Sequence, residues 1–74
     1  MNKKTTELQR ALIKWKEHHK RKGSRITEEV AKLCIALGGV APSTVWKWER
    51  GATRPQYDYM GMQAVTYIHE DMRA

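Results

Sequence analysis

The chain has 74 residues, of which fourteen are Lys or Arg and eight are Asp or Glu, so its formal net charge is +6 and its pI about 9.8. This length predicts a single domain over residues 1–74 and excludes a large enzyme cleft with a separate cofactor domain. No apolar run approaches the ~18–20 residues that cross a bilayer, and the first residues do not read as a signal peptide. The single cysteine, Cys34, excludes an internal disulfide framework and favours a reducing compartment.

The positive charge is concentrated in the first third of the chain. Residues 1–25 hold nine basic side chains against Glu7 and Glu17, a net charge of +7. Residues 56–74 hold Arg73 against three carboxylates, a net charge of −2. This distribution is typical of a protein that binds a polyanion with one end: nucleic acid, anionic lipid or an acidic protein. A surface that is charged only for solubility is the alternative.

The first segment has apolar residues at helical spacing. They are Leu8, Ala11, Leu12 and Trp15. The pattern predicts a helix from about Thr6 to Lys22, with Thr5 or Thr6 as its N-cap. A short basic arm over residues 1–5 is expected to precede it. Gly23 suits the left-handed position that ends a helix.

The second segment begins with signals of a helix start. Thr27 is a good N-cap, and Glu28 and Glu29 have the charge that a helix N-terminus favours. Gly38 and Gly39 are predicted to end this helix. Its predicted buried stripe consists of Val30, Leu33, Cys34 and Leu37.

The third and fourth segments complete an all-helical pattern. Pro42 suits a first helical residue, which predicts a helix from Pro42 to about Arg50, closed by Gly51. A fourth helix is predicted near residues 58–72. Its apolar side consists of Met60, Ala64, Val65, Ile68 and Met72. Since no segment alternates as a strand does, we expect a small all-α domain of four to five helices.

A short turn that contains glycine separates the second and third helices. This arrangement is typical of a helix-turn-helix, whose second helix enters the DNA major groove. We expect Gly39 to relieve steric crowding in the turn and Val40 to fill the gap between the helices. Val45 and Trp48 are expected to anchor the third helix to the core.

Residues 41–55 resemble the recognition helix and following loop of the phage repressor and Cro family. The distinctive positions are Ser43-Thr44-Val45, Trp48-Glu49, Gly51 and Arg54-Pro55, and the likeness extends back over residues 26–31. The resemblance implies a lambda-repressor-like helix-turn-helix fold and a sequence-specific, double-stranded DNA-binding transcriptional regulator. It also implies a phage or prophage repressor that binds a palindromic operator as a dimer, in the bacterial cytoplasm or nucleoid.

The same resemblance implies which residues touch DNA. The implied base contacts are Ser43, Thr44, Trp46, Lys47 and Arg50. The implied phosphate contacts are Thr27, Arg54, Arg25, Lys22, Arg21, Lys3 and Lys4. Lys47 and Arg50 have the donors that guanine O6 and N7 accept, whereas phosphate contacts fix the register without reading sequence.

Two positions depart from the family pattern. Ile35 stands where the family usually has an alanine that lets the two helices pack closely, so Cys34 or Ala36 is expected to make that contact. Pro42 stands where the family often has a polar residue that contacts a base, so that contact is expected to be absent.

Two features leave alternatives open. Trp46 cannot share the buried face of Trp48, so it either contacts DNA or covers the junction with the first helix. The apolar residues of segment 57–72 either form a homodimer surface or pack onto the first helix. They are Tyr57, Tyr59, Met60, Tyr67, Ile68 and Met72.

Other classes of function remain as alternatives or are set aside. The first alternative is a helix-turn-helix adaptor, such as an antitoxin or a terminase-like packaging subunit, and the second is a non-specific module for RNA or membrane surfaces. Metal-ligand spacing does not occur among the soft ligands, which are His18, His19, Cys34 and His69. We therefore expect no enzyme activity, cofactor, metal, membrane or small-molecule ligand.

Overall fold

The computed structural model describes residues 3–73, with side chains from residue 7 onward. This part of the chain forms four helices and contains no strand, which confirms the predicted small all-α domain. The helices are α1 (Lys3–Lys22), α2 (Ile26–Ala36), α3 (Pro42–Arg50) and α4 (Asp58–Arg73). Within residues 3–73, no helix has both the length and the apolar character needed to cross a membrane.

The N-terminal end of α1 differs from the prediction. The helix begins at Lys3, so Thr5 and Thr6 lie inside it and the prediction that one of them is the N-cap is wrong. The predicted basic arm is wrong from residue 3 onward, because lysine is a good helix former and the helix continues through it. Residues 1 and 2, and the side chains of Lys3 and Lys4, lie outside the described part of the chain.

The N-terminal end of α2 also differs from the prediction. Its N-cap is Arg25 and not Thr27, and among the described side chains none forms a capping hydrogen bond there. The Arg25 carbonyl accepts hydrogen bonds from the amides of Glu28 and Glu29, both at 3.1 Å. Ile26 takes a helical position because its side chain packs against the core, and this packing outweighs the local preference of threonine for the cap.

Left-handed glycines end the helices where the sequence predicts them. Gly51 has a φ of 77° and closes α3 by donating to the Trp48 carbonyl at 3.1 Å. Gly39, in the turn after α2, has a φ of 97°. A Cβ at Gly39 would meet no described atom within 4 Å, so the backbone dihedral requires glycine there and the predicted steric crowding is wrong.

The core is shared by all four helices, and α1 contacts each of the other three. Of the two residues expected to contact α3 closely, Cys34 is buried and Ala36 is exposed, so Cys34 is the one that faces the core. Val40 is half-buried against the core, as expected for a residue that fills the gap. The predicted buried residues of α1, α2 and α3 are confirmed: Leu8, Ala11, Leu12, Trp15, Val30, Leu33, Cys34, Leu37, Val45 and Trp48. Of the predicted apolar side of α4, Ala64 and Ile68 are buried, whereas Met60, Val65 and Met72 are half-buried against the core.

Candidate nucleic-acid interface

Two buried side chains and one ion pair fix the orientation of α3. Val45 and Trp48 are buried in the core, as predicted. On the adjoining side of the helix, the Lys16 ammonium of α1 lies 2.8 Å from a Glu49 carboxylate oxygen, and both side chains are about four-fifths buried. A charged pair that is partly shielded from water is a stronger restraint than an exposed one. α3 is therefore held along its length by α1 and by the core.

The side of α3 opposite this anchor carries polar and basic side chains. Ser43, Lys47 and Arg50 are all exposed and lie at positions i, i+4 and i+7, so they line one face of the helix. We name these three residues the α3 outer strip. Thr44 is half-buried beside it. The outer strip therefore presents hydroxyl, ammonium and guanidinium donors from a single, firmly held helix.

Trp46 is half-buried between the outer strip and α1. The Lys16 ammonium lies 4.2 Å from the centre of its ring, which is a cation–π contact. The indole also packs against the core. These contacts favour the second of the two sequence-based alternatives, in which Trp46 covers the junction with the first helix. Its exposed edge still adjoins the outer strip.

Basic residues surround the turn between α1 and α2. Arg21 and Lys22 are exposed at the end of α1, and Arg25 is exposed at the start of α2. The Arg25 guanidinium lies 3.6 Å from Glu28, but both side chains are largely solvated, so this pair is weak. Thr27 is exposed in the first turn of α2, where the Arg25 side chain makes no capping hydrogen bond. The amide of Glu28 is paired with the Arg25 carbonyl, so the amides of Ile26 and Thr27 are the ones that this turn presents to an anion.

The remaining predicted phosphate contacts lie elsewhere or outside the described side chains. Arg54 is exposed in the loop after α3, where it lines a cleft of about 650 Å³ that also touches Leu8 and Val65. The side chains of Lys3 and Lys4 are outside the described part of the chain.

The predicted dimer surface is largely used within the chain. Ile68 is buried, and Met60, Tyr67 and Met72 pack against the core, so these four residues follow the alternative of intramolecular packing. Tyr57 and Tyr59 are exposed, and their rings stack with centroids 5.4 Å apart. Met62, which the sequence pattern did not single out, is 71% exposed.

A polar cluster that sequence reasoning missed joins three helices. His19 is buried, and its Nε2 lies 2.6 Å from Asp71 Oδ2 and 3.7 Å from Glu29 Oε1. The Trp15 indole N–H donates to the same Asp71 oxygen at 2.8 Å. The signal in the sequence is that His19 follows Trp15 at i+4 and so continues the buried stripe of α1. Its partners come from α2 and α4, and no local spacing predicts them.

Burial and charge act in opposite directions on Asp71. Burial alone would raise its pKa, but the hydrogen bonds from Trp15 and His19 and the positive charges of His19 and Lys22 outweigh that effect. The pKa of Asp71 is therefore lowered, and the carboxylate is ionised over the physiological range.

Comparison of the chain with protein-family models, with curated proteins and with solved structures finds no match in any of the three. A function for this chain is therefore inferred from its residues, their geometry and the resemblance of residues 41–55.

Proposed function

We propose that this protein is a sequence-specific, double-stranded DNA-binding transcriptional regulator of the phage or prophage repressor type. The observation that carries the proposal is the α3 outer strip, in which Ser43, Lys47 and Arg50 are exposed along one face of an anchored helix. An α-helix together with its side chains fits into the major groove of B-DNA, which is ~12 Å wide. The resemblance of residues 41–55 to a recognition helix and its loop supports the same interpretation.

The side chains of the outer strip match the donor and acceptor pattern of base edges. Lys47 and Arg50 donate to guanine O6 and N7, and Ser43 donates or accepts according to the base. Thr44 offers a methyl group for thymine at the margin of the strip. Trp46, which is held by Lys16, contributes an apolar edge and is a secondary contact in this proposal.

The basic turn between α1 and α2 supplies the phosphate contacts in this proposal. Arg21, Lys22 and Arg25 form a short run of exposed cations beside the N-terminus of α2. That N-terminus offers the amides of Ile26 and Thr27 and a partial positive charge to a phosphate. Such contacts set the register and most of the salt dependence, while α3 sets the sequence preference.

Binding as a two-fold dimer completes the proposal. The exposed apolar residues of the fourth segment are Tyr57, Tyr59 and Met62, which lie apart from the basic turn in sequence and carry no positive charge. Association of two copies through these residues would match a palindromic operator with half-sites about 34 Å apart.

Selection from a library of genomic fragments over a salt series tests the proposal. We expect the protein to enrich one short palindrome and to keep a preference for it at about 200 mM salt, because base contacts are less sensitive to salt than phosphate contacts. Uniform retention of all fragments that disappears as salt rises would contradict the proposal. Such an outcome would instead favour a non-specific basic module, or an adaptor whose main partner is a protein.

Two single substitutions of basic residues distinguish recognition of the base sequence from non-specific electrostatic attraction to DNA. We expect Lys47→Ala to reduce discrimination at one base pair by ~1–3 kcal/mol. Arg73→Ala removes the same charge from the acidic end of the chain and should leave both affinity and discrimination unchanged. If Lys47→Ala weakens binding to all sequences equally, Lys47 contacts phosphate and not a base.

A further inference from the structure

We propose that His19, Glu29 and Asp71 form a binding site for a divalent transition-metal ion of the zinc class, which joins α1, α2 and α4. One imidazole nitrogen and two carboxylate oxygens converge there, and these three atoms all lie within 4.8 Å of one another. The site is separate from the α3 outer strip, and the proposal goes beyond DNA binding.

The distances suit a small ion after modest side-chain rotation. Zinc binds imidazole nitrogen and carboxylate oxygen at about 2.0–2.2 Å, which places tetrahedral ligand atoms about 3.4 Å apart. The separation of 3.7 Å between His19 Nε2 and Glu29 Oε1 is already close to that value. The separation of 2.6 Å between His19 Nε2 and Asp71 Oδ2 would open by less than about 1 Å, which rotation of the carboxylate allows.

The electrostatics of the site favour a cation. Two carboxylates face one imidazole in a region partly shielded from water, so the cluster keeps a net negative charge even with a protonated imidazole between them. Lys32, whose ammonium lies 3.6 Å from Glu29, is itself largely solvated and offsets little of this negative charge.

A neighbouring aromatic side chain orients the ligands. The Trp15 indole N–H donates to Asp71 Oδ2 at 2.8 Å. Its ring also meets the His19 ring edge to face, with centroids 5.4 Å apart. Hydrogen bonds of this kind hold metal ligands in place and strengthen binding. Three protein ligands leave a fourth tetrahedral position for water.

An ion at this site would stabilise the fold, since its ligands converge only when three helices are packed together. Binding free energy then adds directly to folding free energy. The benefit is large for a chain of 74 residues without a disulfide, whose core is small.

Thermal unfolding of the full chain, freed of metal with a chelator and then titrated with zinc chloride in the absence of DNA, tests the site. We expect the unfolding midpoint to rise by ~10 °C at a zinc concentration ~100 times the dissociation constant. Glu29→Gln keeps the size of the side chain and should abolish the rise. Glu28→Gln, at the exposed neighbouring position, should retain it.

A second readout uses cobalt as a spectroscopic probe of the same variants. We expect Co²⁺ to give visible absorption with the wild-type chain and with His69→Gln, and to give none with Glu29→Gln. An equal midpoint rise in wild type and Glu29→Gln would assign the metal to surface residues and overturn the proposal. No rise and no absorption at any concentration would overturn it as well, and would leave His19 and Asp71 as a hydrogen-bonded pair.

Discussion

Burial changes the chemistry of Cys34, whose thiol lies in the core on α2. Removal from water disfavours the thiolate, so the pKa is raised above its ordinary value of 9.0. The thiolate is the reactive form of cysteine. The residue is therefore an apolar core group in the folded protein.

Two measurements on Cys34 follow from its raised pKa. We expect a water-soluble thiol reagent to label the folded protein slowly and the urea-unfolded protein rapidly. The stabilisation from the neutral thiol is fully present below the pKa of the unfolded thiol and is lost as pH rises through the higher folded pKa. Cys34→Ala should therefore reduce the decline in unfolding free energy above about pH 9. Rapid labelling of the folded chain would contradict the buried position.

Two glycines should respond in opposite directions to the same substitution. Gly51→Ala should destabilise the fold by ~1–2 kcal/mol, because alanine is strained at positive φ. Its Cβ would also lie 2.9 Å from the Gln9 side chain, which would have to move. Gly61→Ala, inside α4, should stabilise the fold by ~0.5–1 kcal/mol, since its Cβ would meet Pro55 at an ordinary 3.6 Å. Urea unfolding of both variants measures the two effects.

At the scale of elements, the pair between Lys16 and Glu49 couples α1 to α3. We expect a double-mutant cycle with Lys16→Met and Glu49→Gln to give a coupling of ~0.5–1 kcal/mol, because both side chains are largely buried. The pair between Arg25 and Glu28 serves as the control and should give a coupling near zero, since it is long and solvated. Equal couplings would show that burial does not strengthen the α1–α3 contact.

Helix interiors, C-terminal ends and the start of α3 were predictable from the sequence, whereas the starts of α1 and α2 were not. The bounds of α3 follow from Pro42 and Gly51, whose backbone preferences are strong and local. The capping preference of threonine is weaker than these backbone preferences. Packing of Ile26 against the core therefore places the start of α2 before Thr27. The good helix formers at the start of α1 extend that helix to Lys3.

Contacts between helices could not be predicted from local patterns. The sequence indicates that Trp46 lies outside the face of Trp48, but the contact that settles its position comes from Lys16, thirty residues earlier. In the same way, the partners of His19 come from α2 and α4. Helical spacing assigns a residue to a face of its own helix and says nothing about which other helix meets that face.

At the scale of the whole molecule, the uneven charge predicts a strong salt dependence of the proposed DNA binding. The logarithm of the binding constant should fall with the logarithm of salt concentration, with a slope of about −0.9 for each phosphate contact. Arg21→Ala should lower the magnitude of this slope by ~1. Arg73→Ala should leave it unchanged, because that charge lies at the acidic end of the chain. Fluorescence anisotropy over a salt series measures both slopes.

The proposed self-association gives a second prediction for the whole molecule. Met62→Lys should shift sedimentation equilibrium toward the monomer without lowering the unfolding midpoint of the monomer, because Met62 is 71% exposed. Ile13→Lys changes another exposed apolar residue, on α1, and should leave association unchanged. If neither substitution changes the mass, the residues Tyr57, Tyr59 and Met62 do not form the dimer surface.

The hydrogen bond from Trp15 to Asp71 joins residues 56 positions apart. During synthesis, α1 leaves the ribosome before α4, so Trp15 acquires this partner only after residues 16–71 have followed. The loop closed by the bond carries a high entropic cost, so its formation belongs to a late stage of folding. Nascent chains that end before α4 therefore expose the apolar stripe of α1 to chaperones and proteases.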